Sequence, residues 1–202
     1  MTSDTDVSTL LERYAEVRAY TERLAAPLSP EDQTVQSMPD ASPTKWHRAH
    51  VTWFFETFLL APNEPDFAAY GDKYWFLFNS YYESVGPRHA RPMRGVISRP
   101  GSQDVGRYRS NVDDRMRRLL DTVDDGTLLK LAPTISLGFH HEQQHQELLL
   151  MDIKHALSRN PLLPAYAGDP LVGNPAGSLG WKEYEGGLVE IGHNSGTDGG
   201  FS

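Results

Sequence analysis

Two histidines stand four residues apart in His141-Glu142-Gln143-Gln144-His145, inside the run "GFHHEQQHQELLL". On a helix this spacing puts both imidazoles on one face, about one turn apart, within reach of one metal ion. The string also fits H-E-x-x-H, the zinc-peptidase pattern in which the Glu is the general base. A peptidase normally takes its third ligand downstream, and here the downstream carboxylates are poorly placed. Asp152 lies on the same helix two turns beyond His145, and Asp169 and Glu183 lie in or after a Gly/Pro-rich segment. Glu142 follows His141 directly, so it points about 100° away from the histidine face. Upstream, "WHRAH" offers His47 and His50 about 60° apart on a helical wheel. Either can be a core histidine satisfied by hydrogen bonds, and either can supply a third ligand from a facing helix. Three neutral imidazoles leave coordination positions open for a substrate, water or dioxygen. Imidazole donors suit Zn, Fe, Cu and Ni alike.

The composition narrows the chemistry further. The 202 residues include no cysteine, so disulfides, thiolate ligands and a cysteine nucleophile are excluded. The net charge of −8 argues against nucleic acid as a partner. No apolar run is long enough to span a bilayer, and the polar, acidic start "MTSDTDVSTLLERY" lacks the signature of a secretory leader. The expectation is a cytoplasmic protein with no membrane partner.

Four helices are expected to carry these residues. The first covers about Ser8 to Ala25, with Leu11, Tyr14, Val17, Thr21 and Leu24 on one face. The second begins with Ser42 as N-cap and Pro43 at the first helical position, and runs through "TKWHRAHVTWFFETFLL" to about Leu60. Its apolar residues exceed one stripe, which makes it central. Residues 61–100 read as a long ordered loop between the second and third helices, rich in aromatics and arginines. Trp53, Phe54, Trp75 and Tyr82 read as core. The third helix spans about Ser102 to Val123, and the fourth runs from near Asp125 to about Ser158. On the fourth, Thr134, Gly138, His141, His145, Leu148 and Asp152 align on one face. The fold class is therefore all-α, a four-helix bundle with a metal site built between facing helices. Residues 161–180 read as a Pro/Gly-rich linker, and "WKEYEGGLVEIGH" alternates like a strand.

Three blocks in order, "SMPDASPTKWHRAHVTWFFETFLL", "FNSYYESVGPRHARPMRGVISRPG" and "HHEQQHQELLLMDIKHAL", resemble the N-terminal half of the ergothioneine-biosynthesis sulfoxide synthases. The likeness covers about Leu10 to Leu157. It implies a DinB-like bundle over residues 1–160. Residues 181–202 resemble the start of the family's second domain, which has the formylglycine-generating-enzyme fold. The implied reaction is dioxygen-dependent C–S bond formation at a non-haem Fe(II). It joins hercynine (Nα-trimethylhistidine) to γ-glutamylcysteine or cysteine as a sulfoxide. By the same resemblance the metal ligands are His50, His141 and His145, while His47 and His140 are not ligands.

Gln144 matches the family residue that contacts the substrate imidazole, and an amide is suited to orienting a ring nitrogen. Arg91 and Arg94 in "RHARPMRG" match the loop that binds the thiol's carboxylates, with Arg88 a poorer match; arginine suits carboxylates through bidentate contacts. The resemblance supplies no catalytic acid here, because the family's catalytic tyrosine belongs to the second domain. The expectation is a truncated chain that folds and binds iron but turns over poorly alone. Two alternatives remain: a DinB-type Zn- or Ni-dependent thiol transferase or hydrolase, and a non-enzymatic metal-binding module.

Overall fold

The computed structural model describes residues 7–81, 85–167 and 177–192. The chain divides into two units, Met1–Tyr166 and Ala167–Ser202. The first unit is helical. Its elements are α1 (Val7–Ala25), α2 (Thr44–Phe55), α3 (Ala61–Asn63), α4 (Tyr74–Leu77), α5 (Ser102–Thr122) and α6 (Asp125–Arg159). A π-helical turn, Glu56–Leu60, joins α2 to α3, and short 3-10 turns cover Asp32–Thr34 and Arg91–Val96. The four long helices α1, α2, α5 and α6 form the expected all-α bundle.

The centre of the bundle is α2. All twelve of its residues are buried, including Lys45, whose ammonium donates to the Ser98 carbonyl. It packs against both α5 and α6, while α1 packs against the same pair. Trp53, Phe54 and Phe55 sit in one apolar cluster with Tyr14, Tyr108, Met116 and Phe139. Burying each such side chain is worth about 1.5–3 kcal/mol, so this aromatic block anchors the helices that carry the histidines. On α1 the inward residue is Leu10, with Leu11 only partly buried, one position from the expected stripe.

Helix α6 starts with a side-chain cap, the Asp124 carboxylate accepting from the Thr127 N–H at 3.0 Å. Its approach to α2 depends on Gly138. A Cβ there would lie 2.6 Å from Phe55 Cε1 and 2.7 Å from Phe55 Cζ. The missing side chain lets the two helices close up one turn before His141.

Three expectations are corrected. Ser42 does not cap α2: the N-cap position is Pro43, with no side-chain cap bond. The Ser42 hydroxyl accepts from Arg94 and its N–H donates to Asp152 instead. Trp75 is 42 % exposed, because the single turn α4 directs Tyr74 and Phe78 inward and leaves Trp75 on its outer side. The alternating stretch from Trp181 forms no strand in the described residues 181–192, which are exposed throughout. Alternation alone makes no ladder without a partner strand. Tyr82 and His193 lie outside the described residues. No helix among the described residues is long and apolar enough to cross a membrane.

Candidate metal centre

Helix α2 brings His50 against His141 and His145 of α6. The ring centroids form a near-equilateral triangle, 4.9 Å from His50 to His141, 4.6 Å from His50 to His145 and 4.7 Å from His141 to His145. One ring nitrogen from each lies within 4.8 Å of the others, so the three can hold one metal ion. Burial lowers all three imidazoles below their ordinary value, His141 to about 4. The rings are therefore neutral at pH 7 and have lone pairs to offer.

The surroundings orient two of the rings. His50 is stacked between Trp46 and Trp53, with centroids at 4.6 and 5.6 Å. Its Nδ1 lies 2.5 Å from the Phe78 carbonyl oxygen. A carbonyl only accepts, so Nδ1 carries the proton and Nε2 is left with the lone pair. His145 Nδ1 lies 2.9 Å from His47 Nδ1. His141 Nδ1 is buried with no hydrogen-bond partner. A buried ring nitrogen without a partner is costly in a finished core and suits a ligand position.

Glu142 has no access to this centre. It is 0 % exposed and faces away from the histidines. Arg18 donates to it at 3.0 Å, Arg109 at 2.9 Å and the Thr21 hydroxyl at 2.6 Å. Burial alone would raise its carboxyl, but the Arg18 and Arg109 charges outweigh that and hold it below the usual range. It is an ion-paired core residue and cannot act as a general base at the histidine face.

Beside the triad lies a cavity of about 280 Å³. Its lining includes His50, His141, His145, Gln144, Tyr81, Arg91 and Arg94. Arg94 is 4 % exposed, stacks 3.4 Å over the Trp46 ring, and donates to the Ser42 and Ser80 hydroxyls at 2.9 and 3.3 Å. No acid pairs with it among the described residues, and its Nε is buried without a partner. Burial, with the Arg91 charge adding, lowers it to about 9, so it remains a cation at pH 7. Arg91 donates to the Tyr81 hydroxyl at 2.9 Å and to the Asp40 carbonyl. The result is a concave, positively charged wall against three neutral metal donors, an arrangement suited to an anionic substrate.

A family model described as the DinB superfamily matches residues 13–156. The chain belongs to the DinB superfamily. A search of curated proteins found no match. DinB-like domains bind metals in general, and among the described residues of this DinB bundle the three clustered histidines could do so.

Gln144, Arg91 and Arg94 thus lie at the same cavity as the three histidines, whereas Arg88 stacks over Tyr81 at 5.3 Å and does not line it. His140 does not line it either. Sequence reasoning missed the part played by Asp152, which accepts from Ser42 N–H at 2.8 Å and lies 3.0 Å from His47 Nε2. The signal was present: Asp152 shares the helix stripe of His141 and His145, a position where an acid needs a partner.

Proposed function

We propose that this DinB domain holds a non-haem Fe(II) through His50, His141 and His145 and serves ergothioneine biosynthesis. In this reading it uses dioxygen to join hercynine to γ-glutamylcysteine or cysteine as a sulfoxide. The observation that carries the reading is the buried Arg94 cation, which has no ion-paired acid among the described residues, beside three neutral imidazoles. A bound Fe(II) would supply dioxygen activation and a site for a thiolate sulfur. The chain's own residues supply binding and orientation. Arg94 and Arg91 receive substrate carboxylates, Arg94 already desolvated and held by Trp46, Ser42 and Ser80. Gln144 donates or accepts at an imidazole nitrogen of hercynine and fixes the ring plane. Trp46 and Trp53 sandwich His50 and hold its ring plane.

The test is anaerobic purification, loading with Fe(II), and oxygen consumption with hercynine and each thiol. Stoichiometric Fe(II) with only slow thiol- and hercynine-dependent oxygen uptake is expected from this chain alone, and Arg94→Met should weaken thiol binding with metal content unchanged. Oxygen uptake that ignores hercynine would overturn the reading.

A second reading, a Zn- or Ni-dependent thiol transferase or hydrolase, is favoured by the superfamily match and by the affinity of imidazole for those metals. Thiol consumption with Zn or Ni and no oxygen uptake would select it. Full metal occupancy with no turnover under either regime would point instead to a metal-binding module.

A further inference from the structure

Resting on the three-histidine reading, we infer that Asp152 and His47 form a hydrogen-bond relay that locks the tautomer of His145 and presents its Nε2 to the metal. Every role in the relay follows from its outer end. The Asp152 carboxylate can only accept. Its Oδ2 takes the Ser42 N–H at 2.8 Å and faces His47 Nε2 at 3.0 Å, so His47 Nε2 carries a proton. His47 as a neutral ring then has its lone pair on Nδ1. That atom lies 2.9 Å from His145 Nδ1, which must therefore be the donor. With its proton on Nδ1, His145 has its lone pair on Nε2. The Phe78 carbonyl imposes the same tautomer on His50.

His47 is thus a positioning residue. It explains how a further histidine, buried beside the cluster, acts without serving as a ligand. It also gives Asp152 a task that matches its burial, since the carboxylate is fixed by a backbone N–H and not by an arginine. Outer-shell partners of this kind typically change metal affinity by about 10–100-fold when removed.

The first measurement uses the full chain, metal-free and labelled with 15N at histidine. Long-range proton–nitrogen spectra should show His145 in the Nδ1–H tautomer in the parent. A His145 signal in the Nε2–H form would overturn the inference without any variant having to fold. The second measurement is Co(II) affinity by competition with a chromogenic chelator, on variants whose circular dichroism matches the parent. His47→Phe should bind one Co(II) about 10–100-fold more weakly. His47→Asn should recover most of that loss, because its amide oxygen can accept near the place of Nδ1. Parent affinity in His47→Phe would show that the relay is idle. Complete loss of Co(II), as expected for His145→Ala, would make His47 a ligand and also overturn the inference. Neither measurement involves iron, hercynine or dioxygen, so a failed sulfoxide assay leaves the relay result intact.

Discussion

Replacing Glu142 by glutamine keeps the side chain's shape and removes its charge. The parent carboxylate is fully buried between Arg18 and Arg109, at 3.0 and 2.9 Å. Both guanidiniums are themselves buried, so the variant leaves two cations facing a neutral amide. Breaking a buried pair in this way costs about 3–5 kcal/mol. The loss should fall at the low end, because Arg18 keeps Asp113 at 2.7 Å and Arg109 keeps Glu22 at 2.6 Å. The Thr21 hydroxyl also retains an acceptor. For a chain of this size, about 3 kcal/mol lowers Tm by about 6–12 °C. Thermal unfolding followed by circular dichroism reads the shift, and metal analysis of the folded variant should give parent stoichiometry. A variant with parent Tm, full metal content and abolished turnover would refute the argument, since that is how a general base behaves.

Three further outcomes follow from the geometry. His50→Ala, His141→Ala and His145→Ala should each abolish stoichiometric metal, read by elemental analysis, while His47→Ala weakens binding without abolishing it; equal loss in all four would misplace the ligand set. Gly138→Ala should destabilise by about 1–3 kcal/mol in urea, because its Cβ would meet the fully buried Phe55 ring at 2.6 Å; a variant as stable as the parent would show that α2 and α6 can part. The metal-free protein should lose stability as pH falls from about 6.5 towards 4, because His141 titrates near its ordinary 6.5 when unfolded and at about 4 when folded. The unfolded chain binds more protons across that window, so stability rises with pH there, by about 3 kcal/mol at most from this group. The paired carboxylate of Glu142 acts in the same direction at lower pH, below its ordinary 4.5. Denaturant titrations should therefore show a shallower slope above pH 4.5 in His141→Gln, and an unchanged slope would refute the assignment.

The bundle was legible because the signal that makes long helices is local. Three- and four-residue apolar spacing placed α1, α5 and α6, and an apolar surface wider than one stripe marked α2 as central. Other features depend on which neighbour arrives, and no spacing encodes that. Ser42 looked like a cap because capping is a local habit of serine, but Asp152 from α6 and Arg94 from the 3-10 turn claim its polar atoms. The π-helical turn at Glu56–Leu60 has no sequence signature; it follows α2 where Glu56 turns towards Tyr108 and Tyr70 N–H. The burial of Arg94 was equally hidden, since a loop arginine reads as exposed until Trp46 is found beneath it.

The H-E-x-x-H string shows why spacing needs its surroundings. On α6, residues 141 and 145 face α2 while residue 142, turned by about 100°, must face other helices. Those helices are α1 and α5, and each contributes an arginine at that level, Arg18 and Arg109. The carboxylate is therefore committed to the core. The residue beside the histidines that reaches the cavity is Gln144, and an amide does not take up a proton at neutral pH. Among the described residues that line the cavity none is a carboxylate. Metal-assisted hydrolysis by the peptidase route needs such a group to take the proton from the attacking water. A cavity with cationic and amide walls, and imidazoles already held neutral, instead favours substrates that bring their own carboxylates and chemistry that the metal itself carries.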